Sequence, residues 1–209
     1  KVRDRRGAKR TFELILKEHA IRGLAAGSFE AQYAARAQFY LAEYQFEAWN
    51  NIKLKGNLKA QERALKSKFD GAKALRPEFE SVYRFKNLEW TMAAGYRTAN
   101  ILQQFAETLY DADVPFEEGS EEYDMYQTSL EDLALPLEDQ AVEAYEKTLT
   151  KAREEKIVNM WTKKILEQLN KYRPSDYPLF HEEKRQYKRD LVTPRPPLAG
   201  YKDENATEE

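Results

Sequence analysis

Apolar residues recur every three or four positions through most of this sequence, and this spacing constrains the fold more than any other feature. The longest regular stretch, 29–54, keeps the spacing for about seven helical turns. Between the helical stretches, no run of four or more residues alternates apolar and polar side chains as a half-buried strand would. We therefore predict an all-α fold with essentially no sheet.

Residues typical of helix starts and stops divide this pattern into segments. The predicted N-caps are Thr11, Ser28, Asn57, Asn87 and Asn159. The predicted helices cover residues 12–25, 29–54, 58 onward, 88–110, 123–156 and 160–172. A proline inside a helix removes a backbone donor and crowds the preceding turn, so a kink or interruption is predicted at Pro77 and a bend at Pro136.

Each predicted helix has one apolar face that should point inward. In the third helix this face is Leu65, Phe69, Ala72 and Leu75; in the fourth it is Trp90, Ala94, Ile101, Phe105 and Leu109; in the fifth it is Leu133, Leu137, Ala141, Ala144, Tyr145 and Leu149. Small residues that alternate with large aromatic ones let two helix backbones approach closely while the large side chains fill the remaining space. Paired, stacked helices are the expected arrangement.

The chain is predicted to have three parts. Residues 1–11 form a basic N-terminal segment, which contains six basic residues and one acid, Asp4. Residues 12–173 form a helical-repeat domain of about three helical hairpins, stacked as an α-solenoid. Residues 174–209 are rich in proline and lack a continuous apolar face, so an extended tail is expected there.

Composition argues against most kinds of chemistry. A formal charge of −2 gives no overall field that would attract nucleic acid. With no cysteine, two histidines and no glycine-rich phosphate loop, the residue sets of common metal sites, nucleophilic triads and nucleotide sites are missing. No stretch approaches the roughly 20 apolar residues of a membrane span. We expect no enzyme activity, no metal and no cofactor.

Two features have competing interpretations. The acidic stretch 111–124 could bind Ca²⁺ or a basic partner through its carboxylates, but it lacks the spacing of an EF-hand loop. A solvated loop, whose last acids favour the positive N-terminus of the next helix, is the interpretation we favour. His19 and His181 have no partner at metal-ligand spacing, so structural or incidental roles are expected for both.

Aromatic residues spread around the second helix exceed what one inward face can use, and apolar residues punctuate the tail. Tyr and Trp side chains on an exposed repeat surface are typical of peptide-binding grooves. The predicted partner-binding residues are Phe39, Tyr40, Tyr44, Phe46, Tyr177, Leu179, Phe180, Leu191 and Leu198.

Three tandem helix pairs repeat an order of small and aromatic residues that resembles tetratricopeptide repeats. The runs AEYQFEAW, LEWTMAAGYRTANILQQFAETLYDADVP and LALPLEDQAVEAYEKTLTKAREEKIVNMWTKKILEQLNKYRPSDYP look like the C-terminal repeat region of tetratricopeptide cell-envelope proteins of gliding and predatory bacteria. Some of those proteins are associated with adventurous gliding motility. The resemblance covers roughly residues 30–178 and is most specific over 88–115 and 135–178. It implies export to the periplasm or outer membrane, and a scaffold role in a multi-protein envelope assembly.

The sequence therefore favours a non-enzymatic scaffold that docks protein subunits or peptides on its helix faces. The alternative is a peripheral membrane-associated element whose basic residues 1–10 contact anionic headgroups.

Overall fold

The computed structural model describes residues 4–179, and six α-helices account for most of them. They are α1 (Arg5–Ile21), α2 (Ala31–Asn50), α3 (Leu58–Glu80), α4 (Leu88–Tyr110), α5 (Glu121–Glu154) and α6 (Met160–Tyr172). A short 3-10 helix, Ser81–Phe85, joins α3 to α4. No strand forms within residues 4–179, so the all-α prediction is confirmed for this part of the chain.

All three predicted asparagine caps begin helices as expected. The side-chain oxygen of Asn57 accepts a hydrogen bond from the backbone N–H of Ala60 (3.0 Å), and that of Asn87 accepts one from Trp90 (3.1 Å). Asn159 caps α6 and completes a capping box with Thr162, whose hydroxyl accepts from the Asn159 N–H. Because each cap satisfies backbone donors that the helix leaves unpaired, these three boundaries could be predicted closely from the sequence.

The first helix begins earlier than predicted. Asp4 is its N-cap, since the Asp4 carboxylate accepts a hydrogen bond of 2.8 Å from the backbone N–H of Gly7. Thr11, the predicted cap, lies inside the helix and donates its hydroxyl to the Gly7 carbonyl (3.0 Å). Threonine can bond backward along a helix or cap its start, and here it does the former. The predicted start at Phe12 is therefore wrong, and the basic residues from Arg5 onward are helical.

The two prolines inside helices do not end them. α3 continues through Pro77 to Glu80, and α5 continues through Pro136 to Glu154. Of the kink or interruption predicted at Pro77, the interruption does not occur. Each proline leaves one carbonyl of the preceding turn without its helical partner, at Lys73 in α3 and at Asp132 in α5. Both of those residues recur below in the lining of a surface groove.

α4 lies at the centre of the described part and packs against α2, α3, α5 and α6. Helices α2 and α6 both pack on α4, and the rings of Phe39 on α2 and Trp161 on α6 meet at 5.3 Å. Helices α3 and α5 also pack on α4, yet no Cα atom of α3 comes within 8 Å of one in α5, and both helices are described along their whole length. A gap therefore separates α3 from α5, and α4 forms its floor.

Small residues bring the helix backbones close together, as the sequence predicted. A Cβ atom built on Gly95 of α4 would lie 2.6 Å from Cγ2 of Thr148 on α5, which is far inside van der Waals contact. A Cβ atom on Gly71 of α3 would lie 2.5 Å from Cδ1 of Trp49 on α2. The Trp49 indole N–H also donates to the Lys68 carbonyl at 2.7 Å. The close approach at Gly95 and Thr148 joins α5 to α4. The close approach at Gly71 and the Trp49 hydrogen bond join α3 to α2.

Replacing Tyr145 by Phe should lower the free energy of unfolding by about 1 kcal/mol. The Tyr145 hydroxyl is buried and donates to Oε1 of Gln103 at 2.7 Å, while the Gln103 amide donates to Gln168 at 3.0 Å. Phenylalanine would leave the buried Gln103 oxygen without its donor. Urea unfolding measures the loss, with Tyr33→Phe at an exposed tyrosine as control. Equal midpoints for the two variants would contradict the prediction.

Candidate protein-docking groove

Two adjoining cavities, of about 480 and 560 Å³, form one groove between α3 and α5. The cavities share Phe69, Phe105 and Leu137, so they are continuous. Residues of α3 and of α5 line each of the two cavities, so the two helices form opposite walls of the groove. We call this feature the α3–α5 groove.

The lining of the α3–α5 groove is mainly apolar. Its floor is the buried side of α4, with Ile101, Phe105 and Leu109. Its walls carry two large side chains that water reaches: Phe69 is 58% exposed and Leu133 is 52% exposed. Exposed apolar side chains grouped over a concave surface are a common mark of an interaction site.

Phe69 and Leu133 correct two predictions made from the sequence. Both residues continue the apolar spacing of their helices and were expected to face inward. They do face the neighbouring helices, but no helix of the described part covers the gap between α3 and α5. The spacing was interpreted correctly, and the inference that a covered core follows from it was wrong at these two positions.

Hydrogen bonds fix one end of the groove. The Tyr126 hydroxyl of α5 donates to Oε1 of the buried Gln61 on α3, at 2.9 Å. The Gln61 amide donates to the carbonyls of Gly56 and Asp113, both at 2.8 Å. Because Gln61 thereby joins α3, α5 and the loop after α4, the separation of the walls is set before any partner binds. A pre-formed groove reduces the entropy lost on docking.

Charge changes sign along the rims of the groove. Glu62 and Asp132 line the end near Tyr126, together with Lys66. Lys73, Arg76 and Lys147 line the other end, with Glu143. Arg76 pairs with Glu80 at 2.8 Å. Neither Lys73 nor Lys147 makes an ion pair within residues 4–179, so the second end carries positive charge that is not neutralised there.

The aromatic residues predicted to bind a partner lie elsewhere, and two of them are buried. Phe39 packs between Phe79 and Trp161, and Phe46 packs against Trp49, so the expectation that these two rings face outward is wrong. A helix that is apolar on several sides is covered on several sides, which is the case for α2.

The other two predicted residues of α2 are half-buried beneath α1. The ring of Phe12 stacks on that of Tyr40 with centroids 5.6 Å apart, and the guanidinium of Arg5 lies 4.9 Å from the centroid of the Tyr44 ring. A partner would have to share this surface with α1. Tyr40 and Tyr44 are therefore not part of the α3–α5 groove.

The tail residues that the structure describes are partly fixed to the helices. Tyr177 is half-buried: its carbonyl accepts from the Asn170 amide (2.8 Å) and its hydroxyl donates to Glu146 (3.0 Å). Leu179 is exposed. The predicted binding residues Phe180, Leu191 and Leu198, as well as His181, lie outside the described residues.

The remaining candidates from the sequence have simple surroundings. Glu121, Glu122 and Asp124 occupy the first turn of α5, where carboxylates favour the positive end of a helix. Within residues 4–179 no three His, Asp or Glu side chains group closely enough to hold a metal ion. The His19 ring meets Phe85 edge-on at 5.2 Å. Among the described helices, none combines the length and apolar character needed to cross a membrane.

Compared with known protein families, with curated proteins and with solved structures, the chain matches none.

Proposed function

We propose that this chain is a non-enzymatic scaffold that docks another protein in the α3–α5 groove. The observation that carries the proposal is a pair of exposed apolar side chains, Phe69 and Leu133, on the two walls of the groove above a buried apolar floor. Because about half of each side chain is still in water, covering the rest would contribute roughly 1–1.5 kcal/mol for each of them. A partner that covers the groove gains that free energy.

The finer architecture that fits this function is an α-solenoid of tetratricopeptide-like hairpins. In such arrays, each helix contacts its neighbours in sequence and also the equivalent helix of the next repeat. The contacts of α4 with α2 and α6 follow that arrangement, and so do those between successive helices from α2 to α6. Separated outer helices leave grooves of the kind seen between α3 and α5. An experimental structure of the chain extended by its neighbouring sequence would test whether the stacking continues.

Replacing Leu133 by Glu should weaken docking at least tenfold, because the substitution places a charge inside an apolar groove. It should not lower the free energy of unfolding by more than about 0.5 kcal/mol, because the Leu133 side chain is exposed. Met125→Glu is the matched control, since Met125 is an equally exposed apolar residue of the same helix and lies outside the groove lining. Quantitative affinity purification from the native source compares the proteins retained by the two variants.

The result supports the proposal only if the same stoichiometric partner is retained by wild type and Met125→Glu and is lost from Leu133→Glu. Retention of that partner by all three proteins would show that docking occurs on another surface. Urea unfolding of both variants, compared with wild type, controls for loss of structure, since equal midpoints mean that the variants remain folded.

For location, we propose the bacterial cell envelope, in the periplasm or at the outer membrane. The support is the likeness of residues 30–178 to tetratricopeptide envelope proteins of gliding and predatory bacteria. Fractionation of the native cells, with the chain followed by antibody, tests it. Recovery in the cytoplasmic fraction alone would overturn this part of the proposal and leave the docking function untouched.

A second candidate function rests on the outward face of α1. Arg6, Arg10 and Lys17 are exposed there beside Leu14 and Ile21, which are also exposed. A helix with basic residues and a few apolar ones on one face can lie on an anionic membrane. Binding to vesicles with anionic lipid that weakens with salt and is lost in Arg6→Glu/Arg10→Glu would favour this alternative.

A further inference from the structure

We infer that the occupant of the α3–α5 groove is an amphipathic α-helix with acidic residues toward one end and basic residues toward the other. The inference rests on the proposed docking function and names the kind of partner that the groove fits. Three properties of the described residues lead to it: the apolar lining, the length of the groove and the change of charge along it.

The apolar lining favours a helix over an extended peptide. An extended segment needs hydrogen-bond partners for its backbone along its whole length. Between the charged rims, the uncharged polar side chains of the lining are only Thr98 and Gln140. Both walls are helices whose backbone groups are paired, apart from the two carbonyls that Pro77 and Pro136 leave free at Lys73 and Asp132, which are too few to pair the backbone of an extended segment. In such surroundings a backbone that satisfies its own hydrogen bonds loses least, and an α-helix does so.

The length of the groove fits a short helix. The α3 wall of the groove extends about 21 Å along the helix axis, from Glu62 to Arg76, which corresponds to roughly 14 helical residues. A helix of that length presents about four apolar side chains at spacings of three and four, enough to reach both cavities. Helical segments of this length are marginal alone in water, so the partner would gain order on docking.

The rims set the charge pattern of the occupant. Lys73 on α3 and Lys147 on α5 line one end of the groove together with Glu143, and neither lysine has an ion-pair partner in the described part. Acidic side chains of a docked helix would meet them there. Glu62 on α3 and Asp132 on α5 line the opposite end together with Lys66, and the two carboxylates would meet basic side chains there. Complementary charge of this kind sets the register and orientation of a partner more than its affinity.

The test is a selection from a display library of random peptides of about 14 residues, with the intact chain as bait. We expect enriched peptides with apolar residues spaced by three and four, acids toward one end and bases toward the other. Synthetic versions should become helical on binding, as seen by circular dichroism. Their affinity should fall about tenfold in Lys73→Glu/Lys147→Glu and should return when the peptide acids are changed to Lys.

The matched control is Lys163→Glu/Lys171→Glu, which changes the net charge equally at exposed positions of α6 outside the groove. Equal weakening in both double variants, or enrichment of proline-rich peptides, would overturn the inference. A dimer that forms with increasing concentration and is lost in Leu133→Glu would identify a second copy as occupant and would also overturn it. If Leu133→Glu loses its native partner while the peptides show no charge pattern, the docking function stands and only this inference fails.

Discussion

Replacing Arg97 by Met should lower the free energy of unfolding by about 3 kcal/mol, the largest effect expected from a single substitution considered for this chain. Arg97 of α4 and Glu43 of α2 form an ion pair whose side chains are both largely buried. The Arg97 Nε donates to Glu43 at 2.7 Å, and the guanidinium lies 4.3 Å from the centroid of the Phe46 ring. Methionine fills much of the same space and leaves the Glu43 carboxylate buried without a partner.

The double variant Arg97→Met/Glu43→Leu separates the two contributions to that loss. Because it removes the unpaired charge as well as the pair, it should recover most of the stability. Arg173→Met is the control at an exposed pair, where Arg173 meets Glu146 at 2.6 Å, and it should cost less than about 1 kcal/mol. Urea unfolding of the four proteins supplies the comparison. A double variant as unstable as Arg97→Met would contradict this explanation and assign the loss to packing.

The buried pair also shows which parts of this fold can be predicted from the sequence. Helices and their caps follow from residues close together in the chain, and Asn57, Asn87 and Asn159 begin helices as predicted. The pairing of Arg97 with Glu43 depends on how α2 lies against α4, which local spacing does not determine. The start of α1 was missed for a local reason, since Asp4 and Thr11 are both good caps and only one is used.

The groove could not be predicted from the sequence because its walls have the sequence pattern of a core. Phe69 and Leu133 are spaced like their buried neighbours Leu75 and Tyr145. Whether an apolar face is covered depends on the distance between α3 and α5, which is set by their packing on α4 and by the hydrogen bonds of Gln61. Conversely, the aromatic surplus of α2 indicated a surface, but it is used to pack α2 against several helices at once.

Lys68 is a buried cation whose side chain lies at the junction of α2 and α3. Its ammonium lies 4.0 Å from the centroid of the Trp49 ring and donates to the carbonyls of Trp49 and Ile52, at 3.4 and 3.3 Å. These carbonyls belong to the last turn of α2 and the residues just beyond it, where a positive charge is favourable. Burial, and to a lesser extent repulsion by Lys53, lowers the pKa of Lys68 from 10.5 to about 8.

The chain should therefore become more stable by about 1–2 kcal/mol as the pH rises from 7 to about 9.5. In this window the unfolded chain keeps the Lys68 proton that the folded chain releases, so raising the pH favours the folded state. Above pH 10 the trend should reverse, because burial raises the pKa of the Tyr145 hydroxyl and the unfolded chain then loses protons first.

Urea unfolding across this pH range tests both limbs. Lys68→Met should abolish the rise and keep the fall, whereas Lys66→Met, at an exposed lysine two residues away, should keep both. A rise that persists in Lys68→Met would mean that another group releases the proton. A flat wild-type profile would mean that water or a shift of the Lys68 side chain stabilises the charge on folding. In that case Lys68 would act as a cap for the end of α2 at no cost in desolvation.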